Sequence, residues 1–191
     1  MVLSDREPDR EGLADETLLM AIANTGHDEV DELADTGTIA AWWAELTADD
    51  PTPVPEPGSS SEARGAERLR ALRDVIRRLA WANNGVHLEA DPAAEAVLTS
   101  MALRPDLNSL RISVRAGRNA ALTDTIGAAA IAALIRAPSR PTWPRFKACH
   151  ALDCGWVFID ASRNLSRRWC DMNDCGNRAK GAAFRARTRR P

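Results

Sequence analysis

The chain has 191 residues, of which 45% are apolar and 27% charged, with a formal net charge of −2. That is the composition of a soluble globular protein, and it excludes disordered, collagen-like and coiled-coil chains. The longest apolar run, Ile126 to Ile135, falls short of the roughly 20 residues that a membrane-spanning helix needs, and the charged start MVLSDREPDREG has no apolar secretory segment. A reducing cytoplasm is the expected compartment, with no membrane partner.

Residues 15–24 read as a short helix with Leu18, Leu19 and Ile22 on one face. Thr36 or Thr38 can cap a second helix carrying Ile39, Trp42, Trp43 and Leu46. The stretch 48–61, with four prolines and three serines, reads as a mobile loop. Leu69, Leu72, Ile76 and Leu79 recur at helical spacing and predict a helix over 62–82, ended by Asn83-Asn84-Gly85. Asp91-Pro92 is a cap followed by a first-turn proline, opening a helix to about Met101. Leu110, Ile112 and Val114 alternate with polar residues, as a strand over 109–115 would. Thr123 to Arg136 reads as a buried, alanine-rich helix, and Pro138, Pro141 and Pro144 mark a connection. Beyond it, short strands are expected at 145–149 and 155–160, then a helix after Cys175.

Charge divides the chain at the same place. Residues 136–191 carry 13 Lys+Arg against 4 Asp+Glu, whereas residues 1–135 carry 12 against 23. An acidic body with a basic end predicts two parts with different partners. The resulting fold class is α+β. It comprises a mainly helical N-terminal domain with a small sheet over 1–137 and a small C-terminal domain over 138–191, each with its own core.

All four cysteines lie in the basic part, as Cys149, Cys154, Cys170 and Cys175, spaced C-x4-C-x15-C-x4-C. Two equal pairs separated by a hairpin-length insert fit a tetrahedral thiolate site for one structural Zn²⁺ per chain, and the order knuckle, hairpin, helix makes residues 138–191 a treble-clef-like zinc finger. Two disulfides are the competing reading, disfavoured in a reducing cytosol. Four thiolates around Zn²⁺ carry a net −2, which favours cationic neighbours such as Arg168, Arg178 and Lys180.

The string Cys170-Asp171-Met172-Asn173-Asp174-Cys175-Gly176-Asn177-Arg178-Ala179-Lys180 resembles the CGNR zinc-finger family. Cys154 to Asp160 and Ser166 to Cys170 also resemble it. Residues 18–27, LLMAIANTGH, resemble the segment ending in Asn-Thr that opens the ABATE domain, with Ile22-Ala23 standing where that family carries acidic or aromatic residues. The resemblance implies a bacterial regulator of stress-responsive transcription, in which a mixed α/β domain senses a small molecule and a finger binds DNA. It also implies that Gly176 permits a tight turn and that Asn177 and Arg178 bond around the knuckle or reach phosphate.

Nucleic-acid candidates are Arg163, Arg167, Arg168, Arg178, Lys180, Arg185, Arg187, Arg189 and Arg190. Arg178 can equally neutralise the thiolates, and Trp156, Phe158 and Trp169 can be finger core or base-stacking platforms. On a helix starting at Gly176, Arg178, Arg185 and Arg189 form one stripe, Lys180 and Arg187 lie nearer Phe184 as flanking charges, and Phe184 is expected to turn inward onto the knuckle. Asn24 and Thr25 either line an effector pocket or end the first helix. The expected function is zinc-dependent binding of nucleic acid, on double-stranded DNA, by a transcriptional regulator that can form a homodimer. A zinc-stabilised protein-interaction module and a thiol redox sensor are the alternatives. No phosphate-binding glycine loop, nucleophile elbow or H-E-x-x-H motif is present, so an enzyme is not expected.

Overall fold

The computed structural model describes residues 10–27, 29–48, 62–101, 103–106, 113–117, 120–151 and 153–188. The expected loop at 48–61 lies almost wholly outside them, as do Leu110, Ile112, Arg189 and Arg190.

Helix α1 spans Arg10–Ala23 and α2 spans Thr36–Leu46. The cap of α2 is Asp35, not a threonine: its carboxylate accepts from the backbone of Gly37 and Thr38, and the Thr38 hydroxyl answers to the Asp35 N–H. This reciprocal capping box satisfies N–H groups that a helix start otherwise leaves orphaned. Helix α3, Glu62–Ala82, has the span that its apolar periodicity predicts. Helix α4, Pro92–Thr99, is capped by Asp91 as expected and stops short of Met101.

The strand expected at 109–115 is described only at its end. Strand β2 (Ser113–Arg115) pairs antiparallel with β1 (Arg104–Asp106), which the pattern had not revealed because Arg-Pro-Asp has no strand signature. Helix α5, Leu122–Arg136, lies against α1 and α3 and buries Ile126, Ala130 and Ala133 in the same cluster. Two short 3₁₀ turns at Ala137–Ser139 and Trp143–Arg145 lead into β3 (Phe146–Ala148), which pairs antiparallel with β4 (Val157–Ile159). A π-helical turn, Met172–Gly176, then opens α6, Asn177–Thr188. Helices and two small antiparallel sheets make the α+β class.

The finger keeps a small cluster of its own around Cys149, Phe158 and Cys175, but one face of its hairpin belongs to the core of the helical part. Leu19, Ile22, Ile39, Leu69, Leu72, Ile76 and Ile126 form one buried cluster with Phe146, Ala148 and Val157 of the second hairpin. A finger of this size has too little apolar surface to bury alone, and one face of its hairpin is completed by α1 and α3. Polar contacts reinforce the seam. The Asn83 amide donates to the carbonyls of Trp143 and Phe146 at 2.8 and 2.9 Å, and the Asn84 amide donates to that of Ala148 at 2.8 Å. The Asn-Asn-Gly that ends α3 therefore also holds the edge of β3.

Candidate metal centre and basic helix

The first pair of cysteines is set by the β3–β4 hairpin. The Cys149 N–H continues the ladder by donating to Trp156 O at 2.8 Å, and the Cys154 N–H turns back to Ala151 O at 3.0 Å. Gly155 follows at φ +66°, a left-handed conformation that glycine adopts without steric cost. The second pair comes from the π-helical turn, whose cap Asp171 accepts from the Asn173 N–H at 2.6 Å. Gly176 closes the turn with its N–H on Asp171 O at 3.0 Å. Its φ is not positive. A Cβ there would stand 2.5 Å from Met172 Sδ and 3.2 Å from Trp169 Cδ1, so what a side chain at this position would displace is the Met172 thioether and the Trp169 ring, and no left-handed turn requires glycine. The two knuckles are joined by the His150 N–H donating to Arg168 O at 2.9 Å.

These elements bring the four sulfurs within 4.8 Å of one another, with Cys149 and Cys175 buried. Cys154 Sγ lies 3.6 Å from Cys170 Sγ, which lies 3.7 Å from Cys175 Sγ. Four thiolates at about 2.3 Å from Zn²⁺ would stand about 3.8 Å apart at tetrahedral corners, whereas a disulfide requires about 2.05 Å. All four cysteines are free. The donor set and spacing fit a single structural zinc, with no ligand position left open for catalysis. Burial pushes the Cys154 thiol up to about 11. Burial and then the neighbouring sulfurs push Cys170 up as well. Thiols so crowded give up their protons in exchange for a cation, which makes metal affinity fall in acid.

The arginines around the site divide by what they touch. Arg178 donates to Cys175 Sγ at 3.1 Å and to Asp174 Oδ1 at 3.1 Å, and it pairs with Asp153 on the first knuckle. Of its two open readings, neutralising the thiolates is the one this geometry serves. Arg167 lies over the Phe158 ring at 4.5 Å and donates to the carbonyls of Trp169 and Cys170. Arg168 stands over Trp169 at 5.8 Å and reaches His150 Nδ1 at 3.5 Å. Arg163 is exposed. Lys180, Arg185 and Arg187 are exposed on α6 and form no ion pair among the described residues.

The aromatics also separate. Phe158 is buried against Cys149 and Cys175, with Trp169 beside them, so both belong to the finger core. Trp156 is 40% exposed and its ring lies 4.9 Å from that of His27. Phe184 does not turn inward: it is 60% exposed and none of the residues of α6 is buried. The knuckle already has Phe158 and Trp169 as its apolar filling.

Asn24 and Thr25 have their polar groups engaged within the fold. Asn24 bonds both backbone groups of Val157, at 2.9 and 2.7 Å. Thr25 is buried, donates to Ile22 O at 2.7 Å and receives Arg73 at 3.3 Å. Three further residues contribute, none of them assigned a role from the sequence. Arg77 reaches from α3 to the carbonyls of Ala23 and Thr25, both at 2.8 Å, and packs beside Gly155. Lys147 and Asp160 form a buried ion pair at 2.8 Å under the 160–167 loop. Burial opposes the Asp160 charge, but bonds from Lys147, Ser162 and the Arg167 N–H hold its carboxyl well below the usual carboxylate range.

Fold and site together define a zinc-finger protein with four cysteine ligands. Residues 145–188 match the family model of the CGNR zinc finger, a span that takes in β3, β4, all four cysteines and the whole of α6. No curated protein matches the chain. No helix among the described residues is long and apolar enough to cross a membrane.

Proposed function

We propose that the protein is a zinc-dependent DNA-binding regulator of transcription, with no catalytic activity, in which α6 is the element that meets nucleic acid. The observation that carries this reading is the state of α6. Its sequence, NRAKGAAFRART, has four cations and no acid, and no residue in it is buried. A helix that buries nothing gains little from the fold beyond its zinc-anchored start, and its charge suits a polyanion. At about 1.5 Å per residue it is long enough to follow a groove. Arg163 and Arg168 are further exposed cations of the finger.

The N-terminal part is read as an ABATE-like partner. A crevice of about 240 Å³ between α3 and the first knuckle, lined by Arg77, Arg78, Trp81, Ala148, Cys149 and Gly155, is where a small-molecule effector would touch both parts at once. This replaces Asn24 and Thr25 as the effector-facing residues.

The test is duplex DNA binding by the full-length, zinc-loaded protein over a salt series. The double variant Arg185→Ala/Arg187→Ala should shrink the slope of log affinity against log salt by about 2, at about 0.9 per phosphate. An unchanged slope with intact fold and zinc would overturn the reading.

A further inference from the structure

Four cations on α6 are arranged in two rows, not scattered. At about 100° per residue, Arg178 and Arg185 fall on one side of the helix and Lys180 and Arg187 nearly opposite. Between the rows, within about 30° of the midline, lie Asn177, Gly181, Phe184 and Thr188, with the Asn177 amide donating back to Asn173 O at 3.0 Å. Phe184 is the only large apolar side chain of α6 and is 60% exposed. The Thr188 hydroxyl bonds to the carbonyls of Phe184 and Arg185 at 3.2 and 3.1 Å, so its methyl is the group left to offer a partner.

This pattern has the dimensions of a groove reader. A helix with side chains is about 10–12 Å across, and the major groove is about 12 Å wide, with thymine C5-methyl groups on its floor. A helix lying in it meets a phosphate strand on each side and base edges in the middle. We propose that α6 lies in the major groove of duplex DNA with the Gly181–Phe184–Thr188 face toward the base pairs, Phe184 packing on a thymine methyl. Arg185 then faces one strand and Lys180 and Arg187 the other, while Arg178 stays bound to Cys175 and Asp153 at the base of the helix. The α6 of a second copy does not fit this face, because two helices with four cations and no acid repel each other. The opposite face carries Ala179, Ala183 and Ala186, none of which offers a surface comparable with a phenyl ring.

The inference rests on the DNA-binding reading, and the experiment separates the two. Duplexes are selected from a randomised pool with the full-length, zinc-loaded protein, then resynthesised with deoxyuridine for thymine, which removes only the methyl. Wild type should lose about fourfold in affinity for each methyl it buries. Phe184→Ala should bind both duplexes alike, more weakly, with zinc content and salt slope unchanged, and Phe184→Leu should keep part of the preference. A thymine preference that persists in Phe184→Ala, or salt-dependent wild-type binding that ignores the substitution, overturns the inference alone. No duplex binding by wild type overturns the function as well and leaves α6 to an acidic protein partner.

Discussion

Asn24 and Val157 exchange two hydrogen bonds across the seam between the helical part and the finger: the Asn24 amide donates to Val157 O at 2.9 Å and accepts from Val157 N at 2.7 Å. A side-chain amide has the donor and acceptor of a peptide group, so Asn24 caps the free edge of β4 as a neighbouring strand would. Asn24→Ala leaves both backbone groups of Val157 without a partner. At about 1 kcal/mol for each net hydrogen bond, the loss should be about 2 kcal/mol, read as a lower midpoint in urea unfolding with zinc content unchanged.

Because Phe146, Ala148 and Val157 share a core with α1, α3 and α5, zinc should stabilise more than the finger. Cys175→Ser, or chelation, should remove the single zinc and also lower the thermal midpoint reported by the helical part. Metal that binds only the folded state stabilises whatever unfolds with it. Hydrogen exchange of α3 amides with and without zinc measures this. Protection in α3 that is indifferent to zinc would mean the two parts unfold independently.

The Lys147–Asp160 pair predicts a pH dependence. Asp160 is fully buried, Lys147 nearly so, and the Asp160 pKa is depressed in the fold. A depressed carboxylate contributes stability that is present above its unfolded value of about 3.9 and is lost as pH falls through the folded value. Asp160→Ala should flatten that part of the acid unfolding profile. At neutral pH it strands a buried ammonium and should cost about 3 kcal/mol or more. Lys147→Met/Asp160→Leu, which removes both charges, should cost less.

Arg178 and Arg185 share one side of α6 but should separate in experiment. Arg178→Ala removes the cation that bonds Cys175 Sγ and links Asp153 to the second knuckle, so zinc should be lost faster to a chelator. Loss of a partner to a metal ligand typically costs about 10-fold or more in affinity. Arg185→Ala should leave zinc release unchanged and reduce the salt slope of DNA binding by about 0.9.

The sequence by itself determined the elements whose signals are local. Apolar periodicity set the span of α3, the Asp91-Pro92 cap set the start of α4, and the cysteine spacing marked four ligands that the fold gathers within 4.8 Å. Helical period, capping and ligand spacing act over a few residues, so they can be read along the chain. Strand β1 was hidden because it depends on a partner strand and not on its own residues.

What only the tertiary structure decided is where each part ends and what its polar groups face. The charge boundary near residue 137 is not a boundary in packing, because a hairpin too small to bury its own face completes it on α1 and α3. Asn24, Asn83 and Asn84 look like helix-ending residues in the sequence, and their second role on β3 and β4 exists only once the chain has brought distant carbonyls to them. Phe184 reads as core because it is apolar, yet it is exposed on a helix that buries none of its residues. Burial and long-range hydrogen bonding depend on which surfaces meet, and no local pattern carries that information.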